Sequence, residues 1–431
     1  MTKRMLLAVL LLIVFALPAG CQKQGGEPTQ PTAPAPTILP TPTPEPAPTP
    51  TPDRVGVALA GMTVEQKAAQ LLVAGIEGTE PGEDAVQAVQ GYQVGGVILF
   101  GRNVESAEQL AALTNGLKEL NGDYTPLFLC VDQEGGRVDR MPPEVSRTPS
   151  AWRVGQAMAR GTAGAEYGVL LAEECAAFGF NMDFAPSLDI WSNPDNTVIG
   201  DRAFGGDWEW VTDFGFRAVE AMAERGDVIP VVKHFPGHGD TAVDSHTALP
   251  VVDKTLEDLW QSELVPFDMV LSGQFWGEPV MEPAPAVMVA HILLSQIDPD
   301  NPASLSPEVV TGLLREEMGY EGVVCTDDLT MGAISNTYGM GEAAVLAVEA
   351  GCDLLLVCHS ADNLAAAHAA LVDAVDSGRI SMERLDESVY RVLSLKAVYG
   401  LSNAPVEAPD IKALNDRIAA LERSIEADTS Q

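Results

Sequence analysis

Eight short apolar segments, with amphipathic stretches of helical period between them, recur along this chain and narrow what it can fold into. They fall at residues 71–75, 94–100, 127–131, 180–184, 229–233, 286–291, 322–326 and 353–358. Segments such as Val94-Gly95-Gly96-Val97-Ile98-Leu99-Phe100 and Cys352-Asp353-Leu354-Leu355-Leu356-Val357 are apolar at successive positions, which suits strands buried on both faces of a parallel sheet. Between them, Leu110, Leu113, Leu117 and Leu120 keep one face of a helix opened by Ser106, and Thr63-Val64-Glu65-Gln66 has the form of a capping box. Strands alternating with helices in this number predict a (β/α)8 TIM-type barrel in a single catalytic domain over residues 53–401, ahead of a doubly wound sheet. Hydrophobic residues make up 46% of the chain, enough to fill such a core and to exclude wholesale disorder.

The flanks read differently. Lys3 and Arg4 precede an apolar run from Met5 to Leu17, which predicts an export signal over residues 1–20. Leu17-Pro18-Ala19-Gly20-Cys21 resembles a bacterial lipoprotein cleavage box, with Pro18 where leucine is usual. Cleavage there would leave Cys21 lipidated; the alternative is an ordinary secretory cut. Residues 21–52 carry eleven prolines between Pro28 and Pro52 and predict a polyproline tether. At ~3.1 Å per residue its reach is roughly 90 Å. Residues 402–431 predict a helical tail, with Ile411, Leu414, Ile418, Leu421 and Ile425 in register to dock on the barrel. Cys130, Cys175, Cys325, Cys352 and Cys358 show no paired spacing, so buried free thiols are expected. With 61 acidic against 25 basic residues the net charge is −36, which repels phosphate backbones and anionic headgroups. Nucleic acid is therefore excluded as a partner, and membrane contact is expected only through the N-terminal lipid anchor.

A barrel carries its chemistry at the C-terminal ends of its strands. Polar residues gather there: Asp132 after the third, Lys233 and His234 at the fifth, Asp327 and Asp328 after the seventh. The segment Gly273–Pro285, with Trp276 and three prolines, leads instead from a helix into the sixth strand. It reads as a structural insertion on the opposite, stability face.

The densest motif is Lys233-His234-Phe235-Pro236-Gly237-His238-Gly239-Asp240-Thr241-Ala242-Val243-Asp244-Ser245-His246, which holds half of the six histidines. Its proline and glycines make it a loop leaving a strand. No zinc spacing and no helical His pair is present, so no metal is expected. Asp244 is close enough in sequence to orient the His246 imidazole, giving a proton donor and acceptor near neutral pH. Asp132-Gln133-Glu134-Gly135-Gly136-Arg137-Val138-Asp139-Arg140 and Thr326-Asp327-Asp328-Leu329-Thr330-Met331 are the second and third motifs. A carboxylate placed after a buried strand is costly unless something uses it, but spacing does not choose between Asp327 and Asp328.

Together the three motifs resemble glycoside hydrolase family 3, in its β-N-acetylhexosaminidase branch, from about Met62 to Leu401. The resemblance implies a retaining hydrolase that removes terminal β-linked N-acetylglucosamine, commonly from peptidoglycan fragments (muropeptides). It implies Asp327 as nucleophile, His246 as acid/base oriented by Asp244, and Asp132, Arg140, Arg202, Lys233 and His234 as sugar-holding residues. No cofactor is implied, and no dinucleotide fingerprint or P-loop occurs. A β-glucosidase of the family usually takes its acid/base from a second domain, which the Asp244–His246 loop argues against. A β-N-acetylglucosaminide phosphorylase is a closer rival, because an imidazole donor does not repel an incoming phosphate. A non-enzymatic, sugar-binding cell-wall lipoprotein is the reading from another class.

The flanks generate a test. Cys21→Ser should release the exported protein from the membrane, and a chain beginning at Asp53 should be soluble and fully active. Retained membrane attachment of Cys21→Ser on fractionation would remove the lipid anchor.

Overall fold

The computed structural model describes residues 53–157, 160–241, 244–245 and 248–429. The expected export signal, Cys21, the tether and His246 lie outside them. Among the described residues no helix is long and apolar enough to cross a membrane.

The eight apolar segments form eight parallel strands: β1 (Leu72–Gly75), β2 (Gly96–Ile98), β3 (Phe128–Val131), β4 (Met182–Asp183), β5 (Ile229–Phe235), β6 (Ala286–Val289), β7 (Val323–Asp328) and β8 (Leu354–Val357). Each pairs with its sequence neighbours, and β8 closes on β1 with Leu72 opposite Leu355. The expected (β/α)8 barrel is present. Both faces of the strands are buried, because inward side chains such as Val73, Ile98, Phe128 and Ile229 pack with one another while outward ones meet the helices. Those helices include α1 (Ala107–Asn121), α2 (Arg160–Ala177), α3 (Trp208–Arg225), α4 (Leu264–Ser272), α5 (Met382–Val398) and α6 (Ile411–Thr429). The Ser106 side chain accepts the Gln109 N–H to open α1, and Thr63 and Gln66 close a reciprocal capping box. Among the described residues, all five cysteines are buried and unpaired.

One end of the barrel is sealed. Val392 and Leu395 of α5 enter the inner core, and Tyr399 and Leu401 pack beside them. Lys396 is buried there, donating to Gln70 Oε1 at 2.9 Å and the Gly95 carbonyl at 2.8 Å, with its Nζ 4.7 Å from the Phe128 ring centre. Burial pushes this ammonium down to about 7. These contacts lie at the N-terminal ends of β1–β3, so solvent reaches the interior from the other end.

Two strands run further than the apolar pattern predicts. β5 continues through Lys233 and His234 to Phe235, and β7 continues through Asp327 and Asp328. The physical reason is a slip in each ladder. Pairing of β5 with β6 shifts register between Val232 and Phe235, and pairing of β7 with β8 shifts between Cys325 and Asp328. The ladder is interrupted at the slip and resumes at Phe235 and Asp328.

Gly273–Pro285 also departs from expectation. Gln274–Phe275 and Glu278–Pro279 form a small antiparallel hairpin. It climbs the outer wall along α3, with Phe275 against Phe216 and Trp276 against Trp208 in the first helical turn. Its tip therefore reaches toward the open end of the barrel.

The tail helix α6 packs on α2, and Leu414, Ile418, Leu421 and Ile425 are buried. Ile418→Ala should cost about 2–5 kcal/mol through lost burial and the cavity left behind. A lowered urea midpoint at unchanged slope would register it.

Candidate active site

The open end holds a cavity of about 210 Å³ lined by side chains from several strand ends. Asp132, Arg140, Arg202, Lys233, His234 and Asp327 all contribute to it. In a regular strand neighbouring side chains point to opposite faces. Yet Lys233 and His234 both line the cavity, as do Asp327 and Asp328. The two register slips account for this, since each falls on one of the pairs.

Lys233 is almost fully buried, and its ammonium lies 2.6 Å from Asp132 Oδ1 and 2.5 Å from Glu134 Oε1. Arg202, from the 3-10 turn Gly200–Arg202, grips Glu134 with two hydrogen bonds of 2.8 Å. Two cations and two carboxylates thus compensate one another. Burial alone would raise the Glu134 carboxyl, but Arg202 and Lys233 hold it well below the usual range. Burial would likewise lower Lys233, and Asp132 and Glu134 keep it above its ordinary value. Gly135 and Gly136, at φ 66° and 55°, turn the chain tightly behind these acids, a conformation that costs a residue with a Cβ.

His234 has both ring nitrogens engaged. Nδ1 lies 2.6 Å from Asp189 Oδ2, and Arg202 Nη2 lies 3.1 Å from Nε2. Arginine only donates, so Nε2 accepts and the ring proton sits on Nδ1, shared with Asp189. Asp189 also accepts the His238 backbone N–H at 2.6 Å and the Ser187 hydroxyl at 2.8 Å. Burial opposes its ionisation, but His234 leads the contacts that hold the carboxyl well below the usual range. The loop after β5 is drawn in close: a Cβ on Gly239 would stand 1.8 Å from the Ile190 carbonyl oxygen.

The two adjacent aspartates differ in their commitments. Asp328 accepts the Thr330 N–H at 2.9 Å and the Cys358 N–H at 3.1 Å on Oδ1, and the Thr330 hydroxyl at 2.5 Å on Oδ2. It ties the end of β7 to the end of β8. Asp327 accepts the Asp328 N–H at 2.8 Å on Oδ1 only, which leaves Oδ2 uncommitted among the described residues. Burial would raise the Asp327 carboxyl, but His291, His234, the Asp328 amide and Lys233 outweigh it and keep it below its ordinary value. His291, which the motifs left without a role, is buried beneath this pair, 2.7 Å from Ser304 Oγ and 3.0 Å from the Asp328 carbonyl.

Asp244 is half-buried in the loop after β5, its carbonyl accepting the Ala248 N–H at 3.1 Å. It is not among the cavity-lining residues, and His246 lies outside the described residues. Between them Ser245 does line the cavity, 3.2 Å from His238 Nε2, and its carbonyl accepts the Ala333 N–H at 3.0 Å. Among the described residues the buried Arg140 Nε has no partner, and Nη1 donates to the Asp139 carbonyl at 3.3 Å.

Sequence reasoning missed Glu134, Asp189 and His238 as parts of the site. Glu134 stood inside a quoted motif, two residues after Asp132. Asp189 closes Phe184-Ala185-Pro186-Ser187-Leu188-Asp189 just after β4, a strand-end position that was a usable signal. Phe100 and His359, stacked with ring centres 5.9 Å apart, form another part of the wall that no motif marked.

Behind the site, Gln133 links three groups. Its amide donates to Glu174 Oε2 at 2.8 Å, its carbonyl oxygen accepts the Arg140 N–H at 2.8 Å, and its backbone N–H donates to Asp183 at 2.9 Å. Burial pushes Glu174 up to about 8 from 4.5, despite hydrogen bonds from Thr148 and Gln133. The folded protein thus keeps a proton that the unfolded chain releases above about 4.5, so the Glu174 contribution is intact below that pH and is lost as pH rises through about 8. Glu174→Gln should flatten this fall, which thermal melts across the same pH range would measure. An unchanged slope would mean that the proton is not held there.

The region Thr63–Leu395 matches the family model described as the glycosyl hydrolase family 3 N terminal domain. The chain is 34% identical over 346 residues to the "Beta-hexosaminidase A" of Pseudoalteromonas piscicida, covering 74% of this chain but only 56% of that protein. It is 38% identical over 316 residues to a "Beta-hexosaminidase" of Thioalkalivibrio sulfidiphilus, covering 72% of this chain and 86% of that one. Among solved structures, a glycoside hydrolase family 3 beta-N-acetylglucosaminidase from Paenibacillus sp. superposes with a TM-score of 0.77 at 41% identity, over 84% of this chain and 69% of that chain. On the barrel, the clustered strand-end residues and these matches, the chain belongs to glycosyl hydrolase family 3.

Proposed function

We infer that this chain is a retaining β-N-acetylhexosaminidase that removes terminal β-linked N-acetylglucosamine from saccharides. The observation that carries the reading is the asymmetry at the end of β7. Of two neighbouring carboxylates in one cavity, Asp328 is consumed by backbone and hydroxyl donors, whereas Asp327 retains an oxygen uncommitted among the described residues. The names of the relatives support the substrate class.

In the proposed mechanism the sugar occupies the cavity with its hydroxyls among Asp132, Lys233, Arg202 and Arg140. Donors already fixed by ion pairs lose little further freedom on binding, which favours a single orientation of the ring. Asp327 attacks the anomeric carbon as the glycosidic bond lengthens, forming a glycosyl ester. His246, oriented by Asp244, protonates the leaving oxygen from the other side, then takes a proton from the water that hydrolyses the ester. The configuration is inverted twice and so retained. His234 acts by holding Arg202 in place, since its own nitrogens are engaged.

Peptidoglycan fragments as the natural source, and attachment through Cys21 on a long tether at the outer face of a membrane, complete the proposal. The lipoprotein-like box and the prolines of residues 21–52 support that part.

The leaving group separates the roles. His246→Ala should lose orders of magnitude on a disaccharide but far less in the first step on an activated aryl β-N-acetylglucosaminide, giving a burst followed by slow turnover. Asp327→Ala should lose both substrates and trap no 2-fluoro glycosyl-enzyme, while Asp328→Ala should keep some burst. Trapping by Asp327→Ala would move the nucleophile to Asp328. Formation of a sugar 1-phosphate when inorganic phosphate is added would favour phosphorolysis over hydrolysis.

A further inference from the structure

The hairpin on the outer wall presents an aromatic surface that the proposed reaction does not use. Trp276 and Gly277 are its two turn residues, at φ 52° and 84°. A two-residue turn with both φ values positive favours Asn-Gly, and a bulky side chain at its first position is strained. Strain of this kind persists where the side chain has another use. Trp276 is 53% exposed, although it is among the largest apolar side chains of the protein. Its base is rigid. Phe275 packs on Phe216 with ring centres 4.8 Å apart and lies under the Arg217 guanidinium at 4.8 Å. The Trp276 ring meets Trp208 at 5.8 Å and 61°.

Trp208 follows the helix cap Asp207, at the end of the loop that carries Arg202 from β4 to α3. The two indoles therefore stand on the same side of the barrel as the cavity, out on the wall. Glu209, Gln274, Glu278 and Glu282, exposed neighbours of the two indoles along the chain, make this stretch acidic, and Arg217, over the Phe275 ring, is tied to Glu220 at 2.8 Å.

We propose that Trp208 and Trp276 form a docking platform for a neutral glycan strand of β-linked N-acetylhexosamine units. This rests on the glycosidase reading above and extends it from the terminal sugar to the polymer. Indole faces carry partial negative charge and meet the C–H faces of pyranose rings, and the surrounding carboxylates and amide accept from hydroxyl and acetamido N–H groups. The same acidic rim disfavours an anionic lipid surface. A second copy of the chain is disfavoured by size, because a stable protein interface uses roughly 20–30 residues a side and this patch offers two indoles and Val280.

Trp276→Asn tests it cleanly, since asparagine suits the turn and removes the ring. In the full-length protein the variant should be at least as stable as the parent. It should bind insoluble chitin, a neutral polymer of β-linked N-acetylglucosamine, about tenfold more weakly in co-sedimentation, as expected for loss of an aromatic anchor. Its kcat/KM on a small aryl β-N-acetylglucosaminide should be unchanged. Equal co-sedimentation would overturn the platform, as would a parallel loss of aryl turnover, which would make the hairpin a support of the site. Trp276-dependent binding to phosphatidylglycerol vesicles, or Trp276-dependent dimers in ultracentrifugation, would assign the patch to those partners instead. Absence of aryl turnover in the parent protein would overturn the glycosidase reading separately.

Discussion

The site rests on one buried carboxylate. Glu134 is almost inaccessible, and it takes two hydrogen bonds from Arg202 and an ion pair from Lys233. Lys233 in turn holds Asp132. Taking such charges out of water costs several kcal/mol each, by order of magnitude, and removing one partner strands the other. The quartet is therefore all or nothing: it joins the ends of β3 and β5 to the turn after β4. The donors around the cavity are fixed before any sugar arrives, so little reorganisation is left for the reaction to supply.

Around that quartet, carboxyl groups of similar chemistry are driven to opposite states. Asp189 and Asp327 are held low because hydrogen-bond donors and nearby basic groups outweigh burial, whereas Glu174 and Asp183, with too few compensating donors, are pushed up. This divides labour without changing residue type. The ionised acids orient rings and face the cavity. Glu174 and Asp183 sit behind, where Gln133 connects them to the chain segment that carries Arg140.

The barrel itself contributes direction. Its N-terminal end is plugged by α5, so access is from the strand ends, where β5 and β7 slip register and turn two consecutive side chains each into the cavity. An ideal ladder would have pointed one member of each pair away. The irregularity falls where the chemistry is, and it lets short strands supply twice as many groups.

Much of this was legible in the sequence. All eight strands follow from apolar runs bounded by turn residues, and the helix caps at Thr63 and Ser106 follow from local side-chain chemistry, because burial and capping act over a few residues. The strand-end rule then located Asp132, Lys233, His234 and Asp327. What sequence could not decide depended on partners distant in the chain. The commitment of Asp328, as against Asp327, to the backbone depends in part on the Cys358 amide, thirty residues away. The importance of Glu134 required Arg202, 68 residues on, and the orientation of His234 required Asp189, 45 residues back. Even the hairpin at Trp276 read as a local insertion until α3 was seen beneath it. Local patterning determined the elements and their order; the partners of each polar group were decided only when closure of the barrel brought remote charges within hydrogen-bonding distance.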